Sequence, residues 1–321
     1  MKPVETRRAL VTGASGFIGR ILCQELMDRG WTVTALLRSP QSGPWHEVVQ
    51  AELGHSPLDP GLLTGVDTIF HLAGKAHVRA RTARDIAQYE TVHVHGTRHL
   101  LEAARAAGVR CCVLVSSVKA MGEGGGGADI WDESTPCRPQ TPYGRTKLMA
   151  ERLVLDELPL PCPVVLRPAM VYGPGAKGNL ALLIRAIGSG LFPHIDFPRN
   201  QRSMIHVHDV VQACILAASH PAACGQTYIL TDGHDWSTGE ILELIRQTLK
   251  KPSRWTLPYG VLSAVAKLGD TLTGLGLPCP IADIVDKLAG SARYSNVRIC
   301  RELDFAPGHD LVRGIREMAG P

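Results

Sequence analysis

The sequence predicts an α/β chain in which a doubly wound, mainly parallel sheet is followed by a smaller C-terminal unit. Three features carry that prediction. A glycine-rich turn separates the first apolar run from the first amphipathic helix, and strand-length apolar runs then alternate with helix-length stretches. Past residue 170 the alternation gives way to loops and an apolar helix.

The first element lies within RRALVTGASGFIGRILCQELMDRG (7–30), a short strand ending near Thr12. Behind it Ile18, Leu22 and Leu26 recur every fourth residue, the spacing of one buried helical face, and Gly30 suits the exit from that helix. Gly13, Gly16 and Gly19 stand at the turn. Without a Cβ, the first two let the backbone turn tightly and approach a pyrophosphate, and the third lets helix and strand pack closely. An anion there meets the free N–H groups of the helix N-terminus. Strand, turn and helix in this order predict a Rossmann dinucleotide site at Gly13, Ser15, Gly16, Phe17, Ile18 and Gly19.

Further strands follow at WTVTALLR (31–38), VDTIFHLAG (66–74) and VRCCVLVSS (109–117), each separated by a helix-sized stretch. This βα rhythm gives a sheet covered on both faces, with the cofactor at the carboxyl edge of the strands. An acid after the second strand would bind the adenosine ribose hydroxyls and select NAD. Here the chain reads Leu36, Leu37, Arg38, Ser39. A guanidinium at that position pairs with a 2′-phosphate, so Arg38 points to NADP, with NAD as the alternative. Glu52, after the third strand, is a candidate for the adenine region.

A reacting group belongs at the same edge, where VLVSS delivers Ser116 and Ser117. In TPYGRTKLMAE (141–151), Tyr143 and Lys147 are one helical turn apart and share a face. A lysine cation beside a tyrosine favours phenolate and lowers the phenol pKa, which equips Tyr143 to exchange a proton with a sugar hydroxyl or ketone. Ser117 would hold that oxygen while hydride moves, and Lys147 would also anchor the nicotinamide ribose.

Composition excludes other classes. The net charge of +4 comes from scattered basic residues rather than a stripe, which argues against a nucleic-acid partner. Nine cysteines at irregular separations form no CxxC or zinc-like set, so reduced thiols in a cytoplasmic chain are expected, and no metal. The N-terminus does not read as a signal peptide. No apolar run reaches the length of a membrane span; the nearest, YGVLSAVAKLGDTLTGLGLP (259–278), is broken by Lys267 and Asp270 and reads as an amphipathic helix on the substrate side.

TGASGFIG, HLAG (71–74), VSSVKAMG, YGRTK, LRPAMVYGPG (166–175) and RSMIHVHDVVQA (202–213) together resemble the extended short-chain dehydrogenase/reductase family. More narrowly they are similar to its nucleotide-sugar epimerase, dehydratase and 4-ketoreductase branch. The resemblance implies a dinucleotide-binding domain over 1–170 and a mainly sugar-nucleotide-binding domain over 171–321, with segments near 203–215 and 226–232 returning to the first, and it implies a homodimer. It makes Ser117, Tyr143 and Lys147 the catalytic set, extends the cofactor site to Leu72, Ala73 and Gly74, and gives Asn179 and Arg202 to the substrate diphosphate. Asp209 would order its helix or face the site, and Arg298 would assist substrate or cap a helix. The family commonly has asparagine where His93 stands, and its dehydratases carry an acidic pair where Val118 and Lys119 stand. Dehydration needs acid and base groups, so the resemblance implies either reduction of a UDP-4-keto-6-deoxyhexose or 4-epimerisation of UDP-glucose or UDP-N-acetylglucosamine. The intact catalytic set opposes a noncatalytic NAD(P)-sensing role.

Overall fold

Neighbouring residues of each strand point to opposite faces of the sheet, and this division builds two cores. Ala9 and Val11 pack with Leu22, Cys23 and Leu26 on one face, and Leu10 packs with Leu100, Leu101 and Ala104 on the other. The computed structural model describes residues 7–75, 82–124, 129–190, 192–197, 200–253, 255–264 and 290–320. Most of the amphipathic segment expected at 259–278 lies outside the described residues.

The first half runs β1 (Arg8–Thr12), α1 (Phe17–Asp28), β2 (Thr32–Leu37), β3 (Glu47–Gln50), β4 (Thr68–His71), α2 (Ala83–Tyr89), α3 (Gly96–Ala106) and β5 (Cys111–Val115). Then come β6 (Ile130–Trp131), α4 (Pro142–Arg152), β7 (Cys162–Pro168), β8 (Met170–Tyr172), α5 (Asn179–Gly188) and β9 (His194–Ile195). The remainder is β10 (Arg202–His206), α6 (Val207–Ser219), β11 (Gln226–Leu230), β12 (Asp235–Trp236), α7 (Thr238–Leu249), β13 (Thr256–Leu257), β14 (Arg293–Tyr294), and two closing helices, Val297–Leu303 and Leu311–Ala319.

Seven parallel strands form the main sheet in the order β11-β7-β5-β4-β1-β2-β3. Chain order reverses between β1 and β4, and a crevice at that switch is where ligands of doubly wound sheets bind. The expected doubly wound architecture is therefore present. α1 and α6 cover one face and α3 and α4 the other. A smaller core gathers Leu180 and Ile184 of α5, Ile241 and Ile245 of α7, Met204 of β10, and Leu311 and Ile315 of the last helix. Beside it, β10 pairs with β8 and β12, and Arg202 bridges to Ala292 just before β14. Among the described residues no helix is long and apolar enough to cross a membrane.

Candidate active site

The ends of β1 and β4 press together at the switch point. Gly13 has φ +69°, and a Cβ there would lie 2.8 Å from the carbonyl carbon of Leu72 and from the amide nitrogen of Ala73. Any side chain would drive the two strand ends apart, so the glycine is required on both counts. Gly16 caps the start of α1 with no side-chain hydrogen bond, leaving N–H groups of the first turn for a ligand. A Cβ at Gly19 would fall 2.2 Å from the Gly13 carbonyl oxygen, so α1 rests directly on the turn. Ser15, Gly16, Phe17 and Ile18 line its rim, and Gly74 continues from β4. This cradle fits a dinucleotide pyrophosphate.

The two serines after β5 separate in role. Ser116 is buried and donates to Glu151, whereas Ser117 caps the turn Val118–Ala120 and accepts from Lys119 N at 3.2 Å. Thr141 caps α4 by accepting from Gly144 N, and Pro142 opens the helix. A Cβ at Gly144 would sit 2.3 Å from the Lys119 carbonyl oxygen, so only glycine lets α4 approach the serine turn this closely. Tyr143 thereby comes near enough to Ser117 for the serine hydroxyl to act on its phenol. The phenol ring rests edge-on against Tyr89 and His93, with centroids 5.8 and 5.5 Å away.

The proton state differs from the sequence expectation. Burial pushes the Tyr143 phenol up to about 12, against the lowering effect of Ser117. Lys147 does not lower it: its ammonium donates to the carbonyl of Val115 at 2.8 Å. Burial brings Lys147 itself down to about 8, against the opposing pull of Glu151. Enclosure decides the shift because burial strips a phenolate of its hydration.

His93 is buried in a π-helical turn, Glu90–His95, between α2 and α3. Its Nε2 accepts from Lys75 N at 3.1 Å, so Nδ1 carries the proton and donates to Thr146 Oγ1 at 2.9 Å. The ring thus ties the chain just past Gly74 to α4. His71 makes a parallel link. Thr97 donates to the His93 carbonyl, so His71 Nε2–H donates to Thr97, and its Nδ1 accepts from Thr12. Thr12 in turn accepts from Ala73 N. Burial first, and then the Lys147 charge, hold both imidazoles down to about 3.

Beneath Lys147, Glu151 forms a buried fork with Arg167 of β7, with Nη2 to Oε2 at 2.6 Å and Nε to Oε1 at 3.1 Å. The sequence reading missed this pair. Its one local signal is that Tyr143, Lys147 and Glu151 repeat at four-residue steps, which puts the acid on the catalytic face.

The other candidates lie apart. Arg38 is exposed at the end of β2, and its guanidinium has no partner among the described residues. Glu52 is exposed and faces His55 at 3.7 Å. Asn179 is exposed in the first turn of α5. Arg202 leaves Nε buried and unbonded. Asp209 points away from these groups, accepting from Gly308 N, His309 N and His309 Nδ1. Arg298 is taken up by Glu302, Gln226 and the Thr227 carbonyl at the β11 edge, so the structure gives it to packing rather than substrate.

The family model described as "NAD dependent epimerase/dehydratase family" matches residues 9–230. The chain is 29% identical over 318 residues to a UDP-glucose 4-epimerase of Vibrio cholerae, covering 97% of this chain and 94% of that one. It is 34% identical over 278 residues to a 4-hydroxy-2-methyl-3-oxo-4-farnesyl-3,4-dihydroquinoline-1-oxide ketoreductase of Stigmatella aurantiaca, covering 83% and 80%. Among solved structures, MoeE5 in complex with UDP-glucuronic acid and NAD superposes with TM-score 0.76 at 28% identity over 97% of each chain. The chain belongs to the NAD dependent epimerase/dehydratase family and is an NAD(P)-dependent enzyme of the nucleotide-sugar-modifying branch of the extended short-chain dehydrogenases/reductases.

Proposed function

We propose that the protein reduces the C4 ketone of a UDP-linked 4-keto-6-deoxyhexose, N-acetylated sugars included. The observation that carries this reading is the approach of α4 to the serine turn at Gly144, which sets the enclosed Tyr143 phenol beside Ser117, where burial favours its protonated form. Ser117 donates to the ketone oxygen and fixes it beside Tyr143. As negative charge develops on that oxygen, Tyr143 gives its proton to it. Bound NAD(P)H supplies the hydride. Lys147 also donates to the nicotinamide ribose hydroxyls, and Val118 and Lys119 offer no acid pair for dehydration.

Gly13, Ser15, Gly16, Phe17, Ile18, Gly19, Leu72, Ala73 and Gly74 hold the dinucleotide, with Glu52 near the adenine. The free guanidinium of Arg38 supports NADP over NAD. Asn179 and Arg202 take the diphosphate, and the unbonded Nε of Arg202 supports that role. In this reading residues 1–170 bind the cofactor and 171–321 mainly the sugar nucleotide, apart from the segments near 203–215 and 226–232. The enzyme works as a cytoplasmic homodimer, consistent with the free thiols of the eight described cysteines.

A second reading is 4-epimerisation of UDP-glucose or UDP-N-acetylglucosamine with tightly held NAD. The similarity to the Vibrio cholerae epimerase along nearly the whole chain favours it, and it uses the same three residues. One panel separates the two. Protein is incubated with NADPH or NADH and, separately, UDP-4-keto-6-deoxyhexoses, UDP-glucose and UDP-N-acetylglucosamine. Stoichiometric cofactor oxidation with a product two hydrogens heavier is the expected result. Equal-mass C4 epimers formed without net cofactor use, and no ketone reduction, would replace the first reading with the second.

A further inference from the structure

Buried polar side chains are ordinarily hydrogen-bonded, so a group of orphans in one place is informative. Glu123 Oε1, Arg202 Nε and Tyr294 Oη are buried without a partner among the described residues. They come from three segments that meet at Ala292 and Tyr294, and Tyr294 packs on the residue after Ser117. Tyr294 is 5% exposed and packs in one apolar cluster with Val118, the residue after Ser117. Its ring stands edge-on to Trp131, with centroids 6.2 Å apart. Arg202 is tied to the same place: Ser203 N donates to Ala292 O at 3.0 Å and Tyr294 N donates to Ser203 Oγ at 2.9 Å. Glu123 arrives from the serine turn, where Lys119 donates through its amide to Ser117 and through its ammonium to Glu123 Oε2 at 2.7 Å. Gly124 brings that loop against Ala292, with 3.0 Å from a Cβ built on the glycine to the Ala292 Cβ. Glu123 and Arg202 each act electrostatically on the Tyr294 phenol, in keeping with the backbone contacts that bring their segments to Ala292 and Tyr294.

We propose that Glu123 and Tyr294, beside Arg202, form a substrate subsite next to Ser117 that takes a polyhydroxylated or acylamino sugar. Glu123 Oε1 accepts from a sugar hydroxyl or amide N–H, and Tyr294 Oη donates to an oxygen that Arg202 shares. Lys119 neutralises the other Glu123 oxygen, so the carboxylate does not repel the neighbouring diphosphate. An apolar ligand of the steroid or isoprenoid kind has nothing to offer these atoms and would leave all three desolvated and unpaired. The inference rests on the nucleotide-sugar reading and deepens it by naming the groups that select the sugar.

The test is calorimetric titration of wild type, Tyr294→Phe and Glu123→Ala with UDP, UDP-glucose and UDP-N-acetylglucosamine, alongside NAD(P)H affinity and melting temperature. Because the Tyr294 hydroxyl has no partner among the described residues, Tyr294→Phe should melt no lower than wild type. Its affinity for at least one UDP-hexose should still fall about 3- to 10-fold, the worth of one hydrogen bond. Glu123→Ala should weaken the UDP-hexose by a similar factor and leave UDP and NAD(P)H unchanged. Wild-type binding of UDP-hexoses that neither substitution alters would overturn the subsite while leaving the nucleotide-sugar reading in place. Failure of wild type to bind UDP or any UDP-hexose would overturn both.

Discussion

Lys147 stands one helical turn from Tyr143, yet its ammonium is spent on the carbonyl of Val115, 2.8 Å away at the end of β5. α4 is thereby fastened to the central sheet, and burial keeps the proton on the tyrosine.

That arrangement sets a pH profile. Tyr143 stays protonated up to about 12, and Lys147 stays charged below about 8. Reductive kcat/KM should be level below pH 8 and fall as pH rises through it, because the free enzyme then loses the charged Lys147 that donates to the nicotinamide ribose. Tyr143→Phe should keep cofactor and substrate affinity and lose about 10²- to 10⁴-fold in turnover. Wild-type turnover in that variant would remove Tyr143 from the mechanism.

Gly16→Asp separates folding from binding. Aspartate is a favoured N-cap, and a Cβ at Gly16 would come 3.1 Å from the Gly13 carbonyl oxygen, so the gain from the cap and the cost of the close contact oppose each other and the melting temperature should move little. The same carboxylate would repel a pyrophosphate at the helix N-terminus, and calorimetry should show the dinucleotide affinity sharply reduced. Unchanged affinity would move the pyrophosphate elsewhere.

Arg38→Ala addresses the cofactor. Wild type should prefer NADPH to NADH, and the variant should lose most of that preference, with NADH kinetics little changed. Steady-state selectivity that is the same in both proteins would rule out Arg38 as its source.

Glu151→Gln removes the charge that Arg167 is built around. An unpaired buried guanidinium costs about 3–5 kcal/mol, which chemical denaturation should register as a large loss of stability. Glu151 also supports the Lys147 cation, so the falling limb of kcat/KM should shift below pH 8 in whatever fraction remains folded.

His71 and His93 predict acid sensitivity. Both are held neutral at about 3 when folded, against an ordinary value of about 6.5 when unfolded. Their contribution to stability is complete above the unfolded value and is lost as pH falls from there toward 3, since the unfolded chain takes up protons first. With two such groups, unfolding free energy should drop by up to about 2.7 kcal/mol per pH unit in that window, measured by urea denaturation. A flat stability between pH 7 and 5 would contradict their burial as neutral rings.

The order of strand, glycine turn and helix was legible in the chain because each signal is local. Apolar period, absence of a Cβ and four-residue spacing are properties of a dozen consecutive residues, and they located Gly13, Gly16 and Gly19 and the shared face of Tyr143 and Lys147. What those residues do to each other was decided by elements far away in sequence. The Val115 carbonyl accepts a hydrogen bond from Lys147 across 32 residues, and His93 reaches Thr146 across 53 residues. Ser203 fixes Tyr294 from 91 residues away. The phenol pKa moved opposite to the local expectation because hydration is lost to the enclosing Tyr89, His93 and serine turn, and enclosure is a property of the assembled layers that no spacing within one helix encodes.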